Sequence, residues 1–244
     1  MRNTIEYWLA ELKKKYKMKT KIYNFLTKPY IVVLTMVIGV LLSIFIDRNF
    51  NFFTGLTVAL LILWGSNFDW SKFGLTKRIT FATVLRSLGI TLLLIIGFYI
   101  FESILAMYID DIDISTFDNV RGNFSEYISL MIVVWIFAAF GEEFIYRGYY
   151  MKELAKLLGD SKKAWLLAAI IVSLYFGTSH AYQGLIGIIG GTLWHFSISL
   201  IFSKNKNNLM SPILIHGFYD TVGVTLLYLN QDSIVGDWIQ QLLS

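Results

Sequence analysis

Long apolar runs broken by short charged stretches dominate the chain, and their spacing predicts helices that cross a bilayer. The runs are Ile31–Ile46, Phe52–Trp64, Thr80–Phe101, one beginning near Tyr127, Ala164–Ala181, Gly184–Phe202 and Leu209–Leu229. Several approach or exceed the ~20 residues needed to span the hydrocarbon core. The second is short enough to be tilted or re-entrant, so the count lies between six and eight, with seven as the working number. The expected fold class is therefore all-α, a polytopic transmembrane helical bundle. Only Pro29 and Pro212 could interrupt it, and Pro212 falls in a first helical turn, where proline is tolerated.

Composition agrees with this pattern. The chain is 56% hydrophobic and 16% charged, against roughly 25% charged in a soluble domain. Charge placement then gives an orientation. Lys72, Lys77 and Arg78 follow the second run, Arg147, Lys152, Lys156, Lys162 and Lys163 the fourth, and Lys204 and Lys206 the sixth. With seven alternating spans all three loops share a side with the Lys-rich N-terminus, which the positive-inside rule puts in the cytoplasm. The opposite loop, Glu102 to Glu126, carries Asp110, Asp111, Asp113 and Asp118 with one Arg121, and should face outward. The sequence pI near 9.1 thus reflects membrane topology and a lipid-bilayer partner, not nucleic-acid binding. With no cysteine, disulfides and thiolate metal sites are excluded.

Four segments follow. Residues 1–30 form a basic cytoplasmic or interfacial segment, in which Ile5, Trp8, Leu9, Leu12 and Tyr16 recur at helical spacing. Residues 31–126 hold the N-terminal spans and the acidic loop. Residues 127–229 hold the chemistry-bearing helices. In residues 230–244, Ile234, Trp238, Ile239 and Leu242 predict a helix in the outer interface.

Candidate chemistry begins at Gly141-Glu142-Glu143-Phe144-Ile145-Tyr146-Arg147-Gly148, at the end of an apolar run. A charge at membrane depth costs about 2.5–3.5 kcal/mol on insertion scales. Glu143 and Arg147 are four residues apart, the favoured order for a helical ion pair. At ~100° per residue Glu142 points well away from Arg147, which leaves it as the freer carboxylate and a candidate general base. The histidines also lie in apolar runs, two of them in Phe176-Gly177-Thr178-Ser179-His180 and in His216-Gly217-Phe218-Tyr219-Asp220. His216 and Asp220 share a face, and an adjacent aspartate holds a histidine in one tautomer. The third, His195, is read as structural. Gly187 and Gly191 form a small-xxx-small face for close helix approach. If the fourth span runs on to about Leu157, Glu142 lies roughly 22 Å above its end and His180 roughly 24 Å into the fifth span, but His216 only about 10 Å into the seventh. These depths match only if the Asn207–Ser211 loop dips into the protein.

Glu142-Glu143-x-x-x-Arg147, Phe176-x-x-x-His180 and His216-x-x-x-Asp220 together resemble the CAAX-protease and bacteriocin-processing family (CPBP, or Abi) over roughly residues 127–225. The resemblance implies an intramembrane endopeptidase acting on a peptide or a membrane-associated protein. It also implies that Glu142 and His180 activate water and that His216 and position 220 stabilise the oxyanion. Position 220 is Asp here, where the family's prenyl proteases tend to have Asn, and an ionised aspartate cannot donate to an oxyanion. Asp220 would then orient His216 or ligate a metal. The implied cofactor is either none or a divalent metal such as zinc on His180, His216 and Asp220, with Glu142 as base. Arg147 would fix Glu143. The alternative reading is a non-catalytic membrane immunity or regulatory partner. Richness in Lys, Ile and Asn points to a bacterial chain, for which a processed peptide fits better than a prenylated substrate. The sequence leaves oligomeric state open.

Overall fold

The computed structural model describes the backbone of residues 2–110 and 112–243, and their side chains except at 2–6, 9, 10, 12, 235, 237, 240 and 243. Asp111 and the side chains of Ile5, Leu9 and Leu12 lie outside the described residues. The described chain is all-helical, with nine helices. These are α1 (Arg2–Leu26), α2 (Pro29–Phe45), α3 (Phe50–Gly65), α4 (Phe81–Leu105), α5 (Phe124–Leu157), α6 (Lys162–Ser179), α7 (Gly184–Lys204), α8 (Met210–Tyr228) and α9 (Ile234–Leu243).

Local sequence sets the helix starts. The Thr80 hydroxyl accepts from Thr83 N at 3.1 Å, the Ser161 hydroxyl from Ala164 N at 3.1 Å, and Asn123 Oδ1 from Glu126 N at 3.4 Å. Each satisfies one of the amide groups a helix N-terminus leaves unpaired. Pro29 opens α2, where its missing N–H costs nothing.

Three helices are long and apolar enough to cross a membrane: α4, α5 and the stretch Ala181–Lys204 that contains α7. A fourth arises if α2 is joined to the end of α1, from which it bends by 77°. The seven-span reading also counts α3, α6 and α8, of 16, 18 and 19 residues. α6 opens on two lysines, and α8 carries His216 and Asp220, which lowers their apolar character.

The bundle is assembled around α5. Its Phe144, Ile145, Tyr149, Tyr150 and Met151 are buried among α2, α3, α6 and α8. α2 and α3 form one antiparallel pair, α6 and α7 another, and α8 lies between α4 and α5. Gly177 is where α6 and α7 close up: a Cβ there would sit 1.9 Å from Thr192 Oγ1 and 2.7 Å from the Ile188 carbonyl. Gly187 and Gly191 do not form that contact. They face the turn at His180–Gln183 and the His180 ring, so the expected small-residue face lies elsewhere.

α9 packs along α4 and buries Ile239, while Ile234, Trp238 and Leu242 remain exposed. A clip ties its entry to the α4–α5 connection. Arg121 Nη2 donates to Asp232 Oδ2 at 2.8 Å, Nη1 donates to Asp232 Oδ1, and Nε donates to Asp118 Oδ1 at 3.0 Å. The guanidinium holds the Asp232 carboxyl below the usual carboxylate range. A lowered folded-state value means that the clip stabilises fully above the ordinary aspartate pKa of ~3.9 and fades as pH falls through the folded value. Asp232→Asn should therefore lower the melting temperature at pH 7, with the gap to wild type closing on acidification. Melting curves in detergent from pH 7 to 3 check this. A gap that is constant with pH would remove the charge from the explanation.

Candidate functional site

Local winding decides how α5 presents its charges. From Val134 to Met151 the helix takes the wide i→i+5 form, over 18 residues. Such winding is rare and concentrates at functional sites. It puts more residues into each turn, so neighbours sit closer in angle than the ~100° of an α-helix. Glu142 and Glu143 consequently both address His216. Glu143 Oε1 lies 2.8 Å from His216 Nδ1, and Glu142 Oε2 lies 3.9 Å from His216 Nε2. The wide form also shortens the rise per residue, which lowers Glu142 toward the level of His216.

The segment before α8 packs against the turn at Gly74, with Asn207 exposed. Leu209 N donates to the Gly74 carbonyl at 2.9 Å, and Thr76 Oγ1 donates to the Asn207 carbonyl at 2.7 Å. Leu209 is fully buried. Gly74 makes this possible: its φ is +85°, and a Cβ would lie 2.8 Å from the Lys206 carbonyl. The loop is thus pinned to that turn. Gly217 then lets α8 approach α5, because a Cβ there would fall 2.5 Å from the Trp135 ring.

Beneath the site lies a buried charge network. Arg147 Nη1 donates to Glu143 Oε1 at 2.6 Å, and Nη2 donates to the His195 carbonyl at 2.8 Å. Both Glu143 and Arg147 side chains are 0% exposed, whereas Glu142 is 23% exposed. That contrast separates the neighbours: one carboxylate is sealed into the network and the other reaches open space. His195 is fully buried, with Nδ1 3.0 Å from Ser173 Oγ. Tyr146 turns its ring into the same region, edge-on to Phe176 and His195.

Glu142, His180, His216 and Asp220 line one cavity of about 980 Å³ between α3, α4, α5, α7 and α8. Glu143 and Arg147 lie below it. His180 caps α6, with Nδ1 3.2 Å from the Phe176 carbonyl. Donation from Nδ1 assigns the tautomer and leaves Nε2 as an acceptor. Asp220 Oδ2 lies 3.2 Å from His216 Nε2, and Trp194 stands edge-on to the His216 ring at 4.4 Å.

These donors do not fit the zinc site that His180, His216 and Asp220 could have formed. Among the described residues no three His, Asp or Glu side chains converge as a metal-binding group. Both nitrogens of His216 face carboxylate oxygens, Nδ1 that of Glu143 at 2.8 Å and Nε2 that of Asp220 at 3.2 Å.

Three participants are not visible as motifs. Trp194 shields His216, and Gly217 admits Trp135. Glu102 belongs to α4 and lines the cavity, not the acidic loop in which the end of the apolar run at Phe101 places it. Helical phase beyond Phe101 was the signal available for it.

No curated protein and no solved structure matches the chain. A family model does, described as type II CAAX prenyl endopeptidase, Rce1-like, and it covers residues 124–222. That segment holds both glutamates, Arg147, His180, His216 and Asp220, and over it the chain carries a domain of the CPBP type found in CAAX-type membrane proteases.

Proposed function

We propose that the protein is an intramembrane endopeptidase that hydrolyses a bond in a peptide or membrane-associated protein, with Glu142 as general base. The carrying observation is that Glu142, His180, His216 and Asp220 share one large, mostly apolar cavity. Glu142 takes a proton from a water molecule, and the resulting hydroxide oxygen bonds to the scissile carbonyl carbon. His180 Nε2 accepts from the same water and orients it. The oxyanion that forms is met by the Nε2–H of His216, which Glu143 supports from the opposite nitrogen. Collapse of the intermediate breaks the C–N bond, and the proton held by Glu142 passes to the leaving amine. Asp220 Oδ2, 3.2 Å from His216 Nε2, gives way to the oxyanion as it develops. No step in this scheme calls on a metal.

The test compares membrane peptidomes of cells carrying wild type, Glu142→Gln or His180→Ala at matched protein levels. New termini present in wild type and lost in both variants are the expected result. Identical peptidomes, with a cellular phenotype that all three versions rescue, would overturn the reading in favour of a non-catalytic membrane partner.

A further inference from the structure

The cavity has a carboxylate that hydrolysis does not use. Glu102 comes from α4, outside the family-matched segment, and lines the same space as Glu142 and His180. The other three carboxylates in the wall are occupied: Asp232 by Arg121, Asp220 by His216, and Glu142 facing His216. The Glu102 carboxylate has no hydrogen-bond or ion-pair partner among the described residues. Nor does any Lys or Arg among them line the cavity.

This carboxylate lies against α7 where that helix has no side chain. A Cβ on Gly190 would lie 2.9 Å from Glu102 Oε1, so a side chain at 190 would displace the flexible end of Glu102. The next residue, Gly191, faces His180, with a notional Cβ 3.5 Å from the ring. Two consecutive glycines of α7 therefore form a strip of the cavity wall, the buried Gly190 beside Glu102 and Gly191 beside His180. Apolar side chains, among them Ile95, Phe137 and Ile186, make up much of the surrounding wall. An ionised carboxylate there, without a counter-charge, is costly. A cation placed opposite it recovers that cost, and discrimination follows because a neutral group leaves the carboxylate bare.

We infer that Glu102 is a specificity-determining residue that receives a cationic group of the peptide substrate, a Lys or Arg side chain or a free amino terminus, while the chain crosses the Gly190–Gly191 strip toward His180. This rests on the endopeptidase reading.

The full-length protein, reconstituted in liposomes of phosphatidylethanolamine and phosphatidylglycerol, is incubated with a proteome-derived peptide library made by cleavage after glutamate. Cleavage sites are read by mass spectrometry for wild type, Glu102→Gln, Glu102→Lys and Glu142→Gln, with melting temperatures measured in parallel. Wild-type sites should carry a positive charge at a fixed distance from the cut. Glu102→Gln should keep its fold and lower the preference for charged over neutral sites at least about 10-fold. Glu102→Lys should shift the preference to acidic residues. An acetylated library separates the sources. Surviving Arg sites identify a side chain, and loss of sites at a fixed spacing from the peptide start identifies the amino terminus. An unchanged site preference in Glu102→Gln, with Glu142→Gln inactive, overturns the inference and leaves the endopeptidase standing. No cleavage by wild type above that of empty liposomes removes the endopeptidase reading, and this inference with it.

Discussion

Glu142→Gln should lower kcat/KM by about 10²–10⁴-fold, the range general-base catalysis commonly supplies, with little change in melting temperature. The change keeps the shape of the side chain and removes its ability to take a proton. Glu142 is partly open to the cavity and contacts His216 only at 3.9 Å, so the fold loses little when its charge is removed. Glu143→Gln, one residue along, should behave in the opposite way. Its side chain is sealed at 0% exposure between Arg147 and His216, and a neutral amide there leaves a buried guanidinium without its counter-charge. Activity would fall with stability and not independently of it. Steady-state kinetics on a cleaved reporter peptide, with melting curves on the same preparations, separate the two. A Glu142→Gln variant that melts far below wild type, or one that retains activity, would remove Glu142 as base.

The sequence shows which polar residues lie at the candidate site more clearly than how they meet. Helix positions were legible because hydropathy marks long apolar runs: Ala164–Ala181 became Lys162–Ser179, and Gly184–Phe202 became Gly184–Lys204. The Glu143–Arg147 pair was legible because i,i+4 spacing survives both windings of α5. What was not legible depends on departures from regular geometry. The i→i+5 stretch has no compositional mark, so ideal helix arithmetic points Glu142 away from the network that it in fact borders. The pinned loop before α8 rests on a left-handed Gly74 some 130 residues earlier, and nothing local to Asn207–Ser211 announces it. His216 was expected to rely on Asp220 alone, because the contact from Glu143 joins residues 73 apart. The roles of Gly177, Gly190 and Gly217 likewise became visible only with the side chains packed against them. A glycine in an apolar run shows that space is needed but not what will fill it.

Arg147→Met should be the most damaging single change to the fold. Arg147 is among the largest fully buried side chains, and its guanidinium holds Glu143 Oε1 at 2.6 Å and the His195 carbonyl at 2.8 Å. Methionine fills much of the volume and satisfies neither acceptor. Breaking a buried pair by removing one partner costs about 3–5 kcal/mol, because the remaining charge has nowhere to go. Glu143 would then keep only His216 as a partner, and its Oε2, already without a hydrogen bond, offers no alternative. The effect should therefore reach the cavity through His216, whose Nδ1 contact holds the ring in place. The double variant Glu143→Gln/Arg147→Met separates a lost counter-charge from lost packing. With both charges gone, stability should recover by a large part of the single-variant loss, and activity should not, since His216 has lost its carboxylate. Denaturant unfolding of the reconstituted protein gives the coupling between the two sites. A double variant as unstable as the sum of its singles would mean that the pair contributes packing and not charge balance, and the support proposed for His216 would have to come from Asp220 alone.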